Sequence, residues 1–470
     1  MRLKKITLNN FRCFEHLELL LHPRLTVLVG ENGAGKTALL DGIASALSPV
    51  LTYLSSANQR LSGRVIQDRD FRVVQWPQFG GKARWGMAEA TRLQVETTDG
   101  LTWDVWKSST KGKKPEGLVG QTSLKNYLQG ISESYATEHP RLTPVIAYYG
   151  AKRGYIDVPQ RLRPARENYG YPTAALIGAL DSMSDFREML AWFDQEEAAE
   201  LRANKGVIDE DFVESPMIAA VRTAIEELLG GAYSNPHFNR DHKFLLERKS
   251  DGAYLTVNQL SQGYQSMLAL GMDFARRLAL ANRHIDYASP EFLADALVEG
   301  AVTDWLKESP DHLPSSAPLL APSIMLIDEI DLHLHPSWQQ RVLGDLMRAF
   351  PNTQFIVTTH SPQALSTVRR ENIRILQAAE NGFEAINPDF SPLAHEAGDA
   401  LAKVMGTHRE PELPIQDDIR RYEQWVRAGQ ENSPDARQLR GELEQAGYQF
   451  HESDLATWRF LAACKSGKVS

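Results

Sequence analysis

Three short stretches of this 470-residue chain combine residue types that handle phosphate and activate water. Residues 30–37 read GENGAGKT, so Gly30, Glu31, Asn32, Gly33, Ala34, Gly35, Lys36 and Thr37 fit the spacing G-x-x-x-x-G-K-[ST]. Glycines in such a loop let successive backbone N–H groups wrap phosphate oxygens, the lysine reaches the β- and γ-phosphates, and the threonine hydroxyl binds Mg²⁺. A plain glycine-rich turn has the same composition. The flanks decide between the two, because an apolar strand over 25–29 precedes the loop and a helical run over 38–47 follows it. The second stretch, SIMLIDE over 323–329, is a fully apolar strand ending in Asp328 and Glu329. That pair suits one carboxylate on the Mg²⁺ shell, Asp328, and one general base for water, Glu329. ATP and Mg²⁺ are therefore the expected ligands.

The third stretch, LSQGYQS over 260–266, opens a helical run over 267–280. Ser261 and Gly263 would then present a hydroxyl and free backbone N–H groups at a helix N-terminus, which suits an anion. Ordinary helix capping by the Ser261 hydroxyl is the competing reading. A further strand over 354–359 ends at His360-Ser361-Pro362, placing an imidazole at the C-terminal edge of a sheet, where open α/β sheets bind ligands. His360 is read as a sensor of the γ-phosphate.

Composition narrows the class. Hydrophobic residues make up 42% and charged residues 24%, which excludes a disordered or fibrous chain. Cys13 and Cys464 stand far apart, with no Cys/His cluster of zinc spacing. No apolar run approaches the roughly 20 residues of a membrane span, and the polar N-terminus lacks a secretory h-region, so a cytoplasmic protein with no membrane partner is expected. The net charge of -9 gives no general attraction to nucleic acid, although local basic patches remain open.

The elements that must position these residues are an α/β fold read in four parts. An N-terminal lobe over 1–170 carries the phosphate loop, with a short antiparallel pair at its start and β-rich sequence over 60–150. A helical insertion follows over 171–230. A second lobe over 231–386 holds the other motifs, and a helical tail over 387–470 offers a partner or oligomer contact. The sequence shows no internal repeat.

In order, GENGAGKT, LSQGYQS, IMLIDEID, LHLHP and TTHSP resemble the Walker A, signature, Walker B, D-loop and H-loop motifs of ABC-type ATPase heads of the RecF/SMC-like superfamily. The opening ITLNNFRCF is also similar to RecF-type heads. The resemblance implies an ABC-type head with a β-rich N-terminal lobe, a helical insertion and a helical C-terminal tail. It also implies an ATP sandwich in a homodimer or higher homo-oligomer, in which Ser261 and Gly263 of one head meet the γ-phosphate held by another. It places Arg12 at the nucleotide, Asp331 in the D-loop and His360 as the switch histidine. Its Q-loop glutamine has no clear match; Gln67 and Gln75 lie in the right interval.

No sustained heptads separate the two halves, which argues against long-armed chromosome tethers. The run over 326–365 is most similar to compact ATPases of bacterial anti-phage cassettes, Septu PtuA and retron-associated relatives. That resemblance implies an ATPase that gates or scaffolds an HNH-type nuclease subunit, PtuB. The insert over 281–322 and the tail could dock such a partner or build an oligomer. The tail lacks the paired acidic strand ends of a two-metal nuclease. The alternative is a RecF/SMC-like ATP-dependent DNA clamp in repair, with Lys111, Lys113, Lys114, Arg161, Arg163 and Arg166 as possible DNA contacts.

Overall fold

The computed structural model describes residues 1–56, 59–79, 82–109, 112–154, 169–182, 185–207, 211–285, 317–379, 382–407 and 413–465. Lys111, Arg161, Arg163, Arg166 and most of the insert over 281–322 lie outside the described residues. The chain divides into two compact units, Met1–Met405 and Gly406–Ser470. Residues 387–405, read from sequence as the start of the tail, belong to the first unit.

In that unit β1 (Leu3–Phe11), β2 (Phe14–Leu20) and β3 (Leu25–Val29) lead into helix α1 (Lys36–Leu54). Two hairpins follow, β4 (Val73–Phe79) with β5 (Lys82–Met87) and β6 (Ala90–Thr97) with β7 (Thr102–Ser108). Next come α2 (Thr122–Ser134), β8 (Val145–Tyr149), α3 (Phe186–Ala203) and α4 (Pro216–Leu228). A three-stranded sheet of β9 (Tyr233–Phe238), β10 (Phe244–Arg248) and β11 (Ala253–Thr256) precedes the long helix α5 (Gln262–Ala281). The remaining elements are β12 (Ser323–Ile327), α6 (Pro336–Gln339), α7 (Val342–Ala349), β13 (Thr353–Thr358), α8 (Pro362–Leu365), β14 (Ile373–Ala379), β15 (Gly382–Ile386) and α9 (Ala397–Lys403).

A six-stranded sheet in the order β15-β14-β3-β13-β12-β8 forms the centre. Its four pairings from β14 to β8 are parallel, and β15 closes one edge antiparallel. Parallel strands covered on both faces read as unbroken apolar runs, which is why β3, β8, β12 and β13 are buried at every position. Alternate side chains feed two cores. Val27, Ala147, Met325 and Phe355 face the layer of α4 and α5, whereas Leu28, Ile146, Leu326 and Ile356 face α1.

On its far side α1 packs under a second sheet, β2-β1-β6-β7, so it is a core helix between two sheets. That position explains its composition. By length and composition alone residues 36–54 are apolar enough to cross a membrane, against the expectation from sequence, and most of the helix is buried inside the protein. Helix α2 was not singled out from sequence either, because only Leu124, Leu128, Ile131 and Ser134 of its thirteen residues are buried.

Helix α5 carries a buried charge cluster. Asp273 accepts from Tyr149 at the end of β8 (2.8 Å), from Arg277 (2.7 Å) and from Arg276 (2.7 Å), while Arg277 also donates to the carbonyls of Ala175 and Ile177. Burial would raise the Asp273 carboxyl, but the two guanidinium groups hold it at about 2. Asp273→Ala leaves two arginines unpaired in the core and is expected to lower stability by about 3–5 kcal/mol in urea denaturation. A loss below about 1 kcal/mol would show that the arginines find other partners.

Among the described residues the second unit holds three helices, α10 (Gln416–Arg427), α11 (Pro434–Gln445) and α12 (Glu452–Lys465). Ile419, Tyr422 and Val426 recur at helical spacing and are buried against Ala436, Leu439, Leu443 and Leu455. Trp425 packs on the rim of that small core.

Candidate nucleotide site

The site lies where β3, β13, β12 and β8 end side by side. Gly35 caps α1 in the left-handed conformation (φ 89°), and a Cβ there would come within 2.6 Å of the Phe14 ring and 2.7 Å of the Cys13 sulfur, so only glycine fits. Gly30 is equally constrained, since a Cβ would stand 2.6 Å from the Leu376 carbonyl oxygen. Glu31, Asn32 and Gly33 are exposed, and the space beside Gly33 is open. Ala34 packs into the core and fixes the loop from below. The loop thus delivers free backbone N–H groups at the N-terminus of a nineteen-residue helix, an arrangement that favours anions.

Lys36 is buried and donates to the carbonyls of Gly30 (2.8 Å) and Glu31 (3.0 Å). Burial pulls its pKa below the usual lysine range, against the opposing pull of the Asp328, Glu329 and Asp331 carboxylates. An ammonium held by neutral carbonyls gains a charged partner when phosphate oxygens replace them. The loop therefore fits a nucleoside triphosphate.

The Thr37 hydroxyl donates to Asp328 across 2.8 Å, joining two motifs that lie 291 residues apart in sequence. Thr358 at the end of β13 donates to the other Asp328 oxygen at 2.7 Å. One hydroxyl and one carboxylate are the donor set that Mg²⁺ takes from a protein when phosphates and water complete its shell, so these two residues fit the ion. Asp328 itself is fixed by its backbone N–H, which donates to the Tyr149 carbonyl at 2.8 Å.

Glu329 has φ 50°, a left-handed backbone at a non-glycine residue. Its N–H donates to the Thr358 hydroxyl at 2.7 Å, and its carbonyl accepts from Leu332 N–H and from the Arg153 guanidinium. Asp331 accepts from the Thr359 hydroxyl (2.6 Å) and from the His360 N–H (3.2 Å), tying the Walker B turn to the end of β13. His360 is half-buried at that edge. Lys36, Thr37, Asp328 and Glu329 therefore meet at one place, with His360 held beside them through Asp331.

Ser261 precedes α5 as its N-cap residue, exposed, with no side-chain capping bond. The hydroxyl is left unused by the capping role that sequence alone offers it. Gly263 is buried because a Cβ would approach the His333 carbonyl oxygen to 2.9 Å, so glycine is needed where α5 meets the loop after Walker B. Tyr264 stacks edge-on between Tyr233 and Trp338 and anchors the start of α5.

Arg12, expected at the nucleotide, is held by two carboxylates. Its guanidinium pairs with Asp41 on α1 (2.7 Å) and with Asp70 (2.8 Å), and Asp41 also takes Arg64 and the Tyr148 hydroxyl. It braces the helix one turn beyond Thr37. Gln67 opens a turn whose backbone N–H donates to Asp70, and Gln75 is exposed on β4. One of the two strands beside Walker B is β8, and it is followed by Gly150-Ala151-Lys152-Arg153, which contains no glutamine. Arg153 is the functional-site residue that sequence reasoning missed. A cation four residues after the fully apolar strand β8 was the available signal.

Family comparison agrees with this geometry. The AAA domain family matches residues 5–226, and the family described as "AAA domain, putative AbiEii toxin, Type IV TA system" matches residues 170–366. In these matches, as in its strand order and loop positions, the chain is similar to AAA/ABC-type ATPases, the resemblance its motifs led one to expect. The chain is similar to the retron Vc95 probable ATPase of Vibrio cholerae serotype O1 biovar El Tor, 24% identical over 94% of this chain and 86% of that protein. The retron Ec83 probable ATPase of Escherichia coli is 27% identical over 95% of this chain and 84% of its own. The Septu protein PtuA of Bacillus mycoides (strain KBAB4) is 32% identical, over 24% of this chain and 11% of its own. An SMC head bound to the C-winged helix domain of ScpA aligns over 82% of this chain and 98% of its own, at 14% identity and TM-score 0.41.

Proposed function

We propose that this chain is the ATP-hydrolysing subunit of a bacterial anti-phage defence complex, with ATP sites formed between subunits and with hydrolysis gating a partner nuclease. The observation that carries the ATPase part is the 2.8 Å bond between Thr37 and Asp328, with Glu329 next in the chain. The near full-length similarity to two retron ATPases supports the defence role.

Mg²⁺ held by Thr37 and Asp328 would supply positive charge against the phosphate charge that repels an attacking water. The protein's own residues do the rest. Lys36 and the loop amides hold the β- and γ-phosphates, Thr37 and Asp328 hold the ion, and Glu329 accepts the proton of the water as its oxygen bonds to the γ-phosphorus and the bond to the β-bridging oxygen breaks. His360 steadies the transferred phosphoryl group. Ser261 and Gly263 belong to the opposite head's site, which explains a hydroxyl exposed and uncapped at the start of α5. Hydrolysis is slow until two heads close. The protein works in the cytoplasm.

The nuclease is proposed to be an HNH-type subunit of the PtuB kind. Tagged protein expressed with its neighbouring genes tests this: a co-purified nuclease whose DNA cutting changes on adding ATP is the expected result. A chain that purifies alone and binds DNA only with ATP would instead support the repair-clamp reading, for which Lys113 and Lys114 beside Asn9, Asn10 and Arg92 offer a partly basic groove.

A further inference from the structure

Arg153 is 6% exposed and stands four residues beyond the end of β8. Its guanidinium donates to the Gly150 carbonyl at 3.3 Å, to the Asp328 carbonyl, and to the Glu329 carbonyl at 2.6 Å. All three acceptors are backbone groups. Burial pulls the guanidinium down to about 10, while the carboxylates of Asp328, Asp331 and Glu329 pull the other way. A cation this deep is costly unless its donors are well satisfied, so the fold keeps it where carbonyl dipoles converge.

Those carbonyls converge because of the backbone at Glu329. A left-handed backbone at a glutamate is strained and persists only where the surroundings over-determine it. Thr358 fixes the Glu329 N–H from the β13 side, and Arg153 fixes the carbonyls before and after the Glu329 N–Cα unit from the β8 side. A planar guanidinium can hold two carbonyls in a fixed relation, which an ammonium cannot do.

We propose that Arg153 is a positioning residue for ATP hydrolysis: by bridging the Asp328 and Glu329 carbonyls it locks the Walker B turn in the conformation that points the general base at the nucleotide. The inference rests on the assignment of Glu329 as that base. It makes Arg153 act through Glu329, with no contact of its own to ATP.

Four full-length variants test it, Arg153→Ala, Arg153→Lys, Glu329→Gln and Arg153→Ala/Glu329→Gln, each measured for ATP Kd, kcat and Tm. Arg153→Ala is expected to lower kcat about 10- to 100-fold, as a small misplacement of a base does, with Kd within about threefold of wild type. Arg153→Lys keeps the charge without the fork and should recover part of kcat; it also carries the test if the alanine variant does not fold. In the Glu329→Gln background Arg153→Ala should cause no further loss, because a residue acting through the base has nothing left to act on. An equal fold-loss in both backgrounds, unchanged kcat, or a fall in ATP affinity and Tm that accounts for the whole effect would overturn the proposal. Wild-type turnover by Glu329→Gln alone would sink the base assignment instead, a failure visible without any Arg153 variant.

Discussion

Glu329→Gln is expected to bind ATP as tightly as the wild-type chain, to accumulate as closed dimers or larger assemblies in its presence, and to hydrolyse about 10²- to 10⁴-fold more slowly. The amide keeps the size of the carboxylate but cannot take the proton of the attacking water. Nothing in the phosphate contacts changes, because Lys36, Thr37 and Asp328 keep their bonds to the loop and to one another. Binding and chemistry should therefore separate. Size-exclusion chromatography with and without ATP, beside phosphate release, checks both halves. Unchanged turnover would remove Glu329 from the base role.

Lys36→Ala should do the reverse and weaken ATP binding about 10- to 100-fold, the worth of charge-assisted hydrogen bonds of about 1.5–3 kcal/mol. The lysine is already satisfied by the Gly30 and Glu31 carbonyls, so the loss is a difference between two sets of partners, carbonyl and phosphate. The positive charge it removes also faces Asp328, Glu329 and Asp331, whose repulsion of the triphosphate would then be less well offset. Calorimetry with ATP reads the change. Affinity equal to wild type would mean that the phosphates bind elsewhere.

The central sheet was legible in the sequence because its parallel strands are buried on both faces and so read as apolar runs. The phosphate loop and the Asp328-Glu329 turn were legible because each is contiguous, with its chemistry set by neighbours in the chain. The class of ATPase followed from their order. Arg153 was not legible in the same way: it acts on carbonyls 175 and 176 positions away, and only the pairing of β8 with β12 brings it there. Arg12 shows the same limit. Its motif was visible, but its partners Asp41 and Asp70 come from a helix and a turn that β1 meets only in the fold. Helical patterning over 171–230 identified α3 and α4 as helices, yet could not tell that α4 packs along α5 in the main core. The start of the second unit at Gly406 was hidden for a related reason, since α9 is amphipathic enough to read as tail although Ala400 and Val404 belong to that core.

A site shared between subunits is the claim on which the rest depends, and mixing two inactive variants tests it most directly. Lys36→Ala lacks a working phosphate loop and Ser261→Arg blocks the signature face, so each alone should be nearly inactive. A mixed dimer would join the intact loop of one to the intact Ser261 of the other. Equal mixing is expected to restore about one quarter of wild-type turnover, since half the dimers are mixed and each holds one complete site. Wild-type turnover by Ser261→Arg alone, or no recovery on mixing, would contradict it.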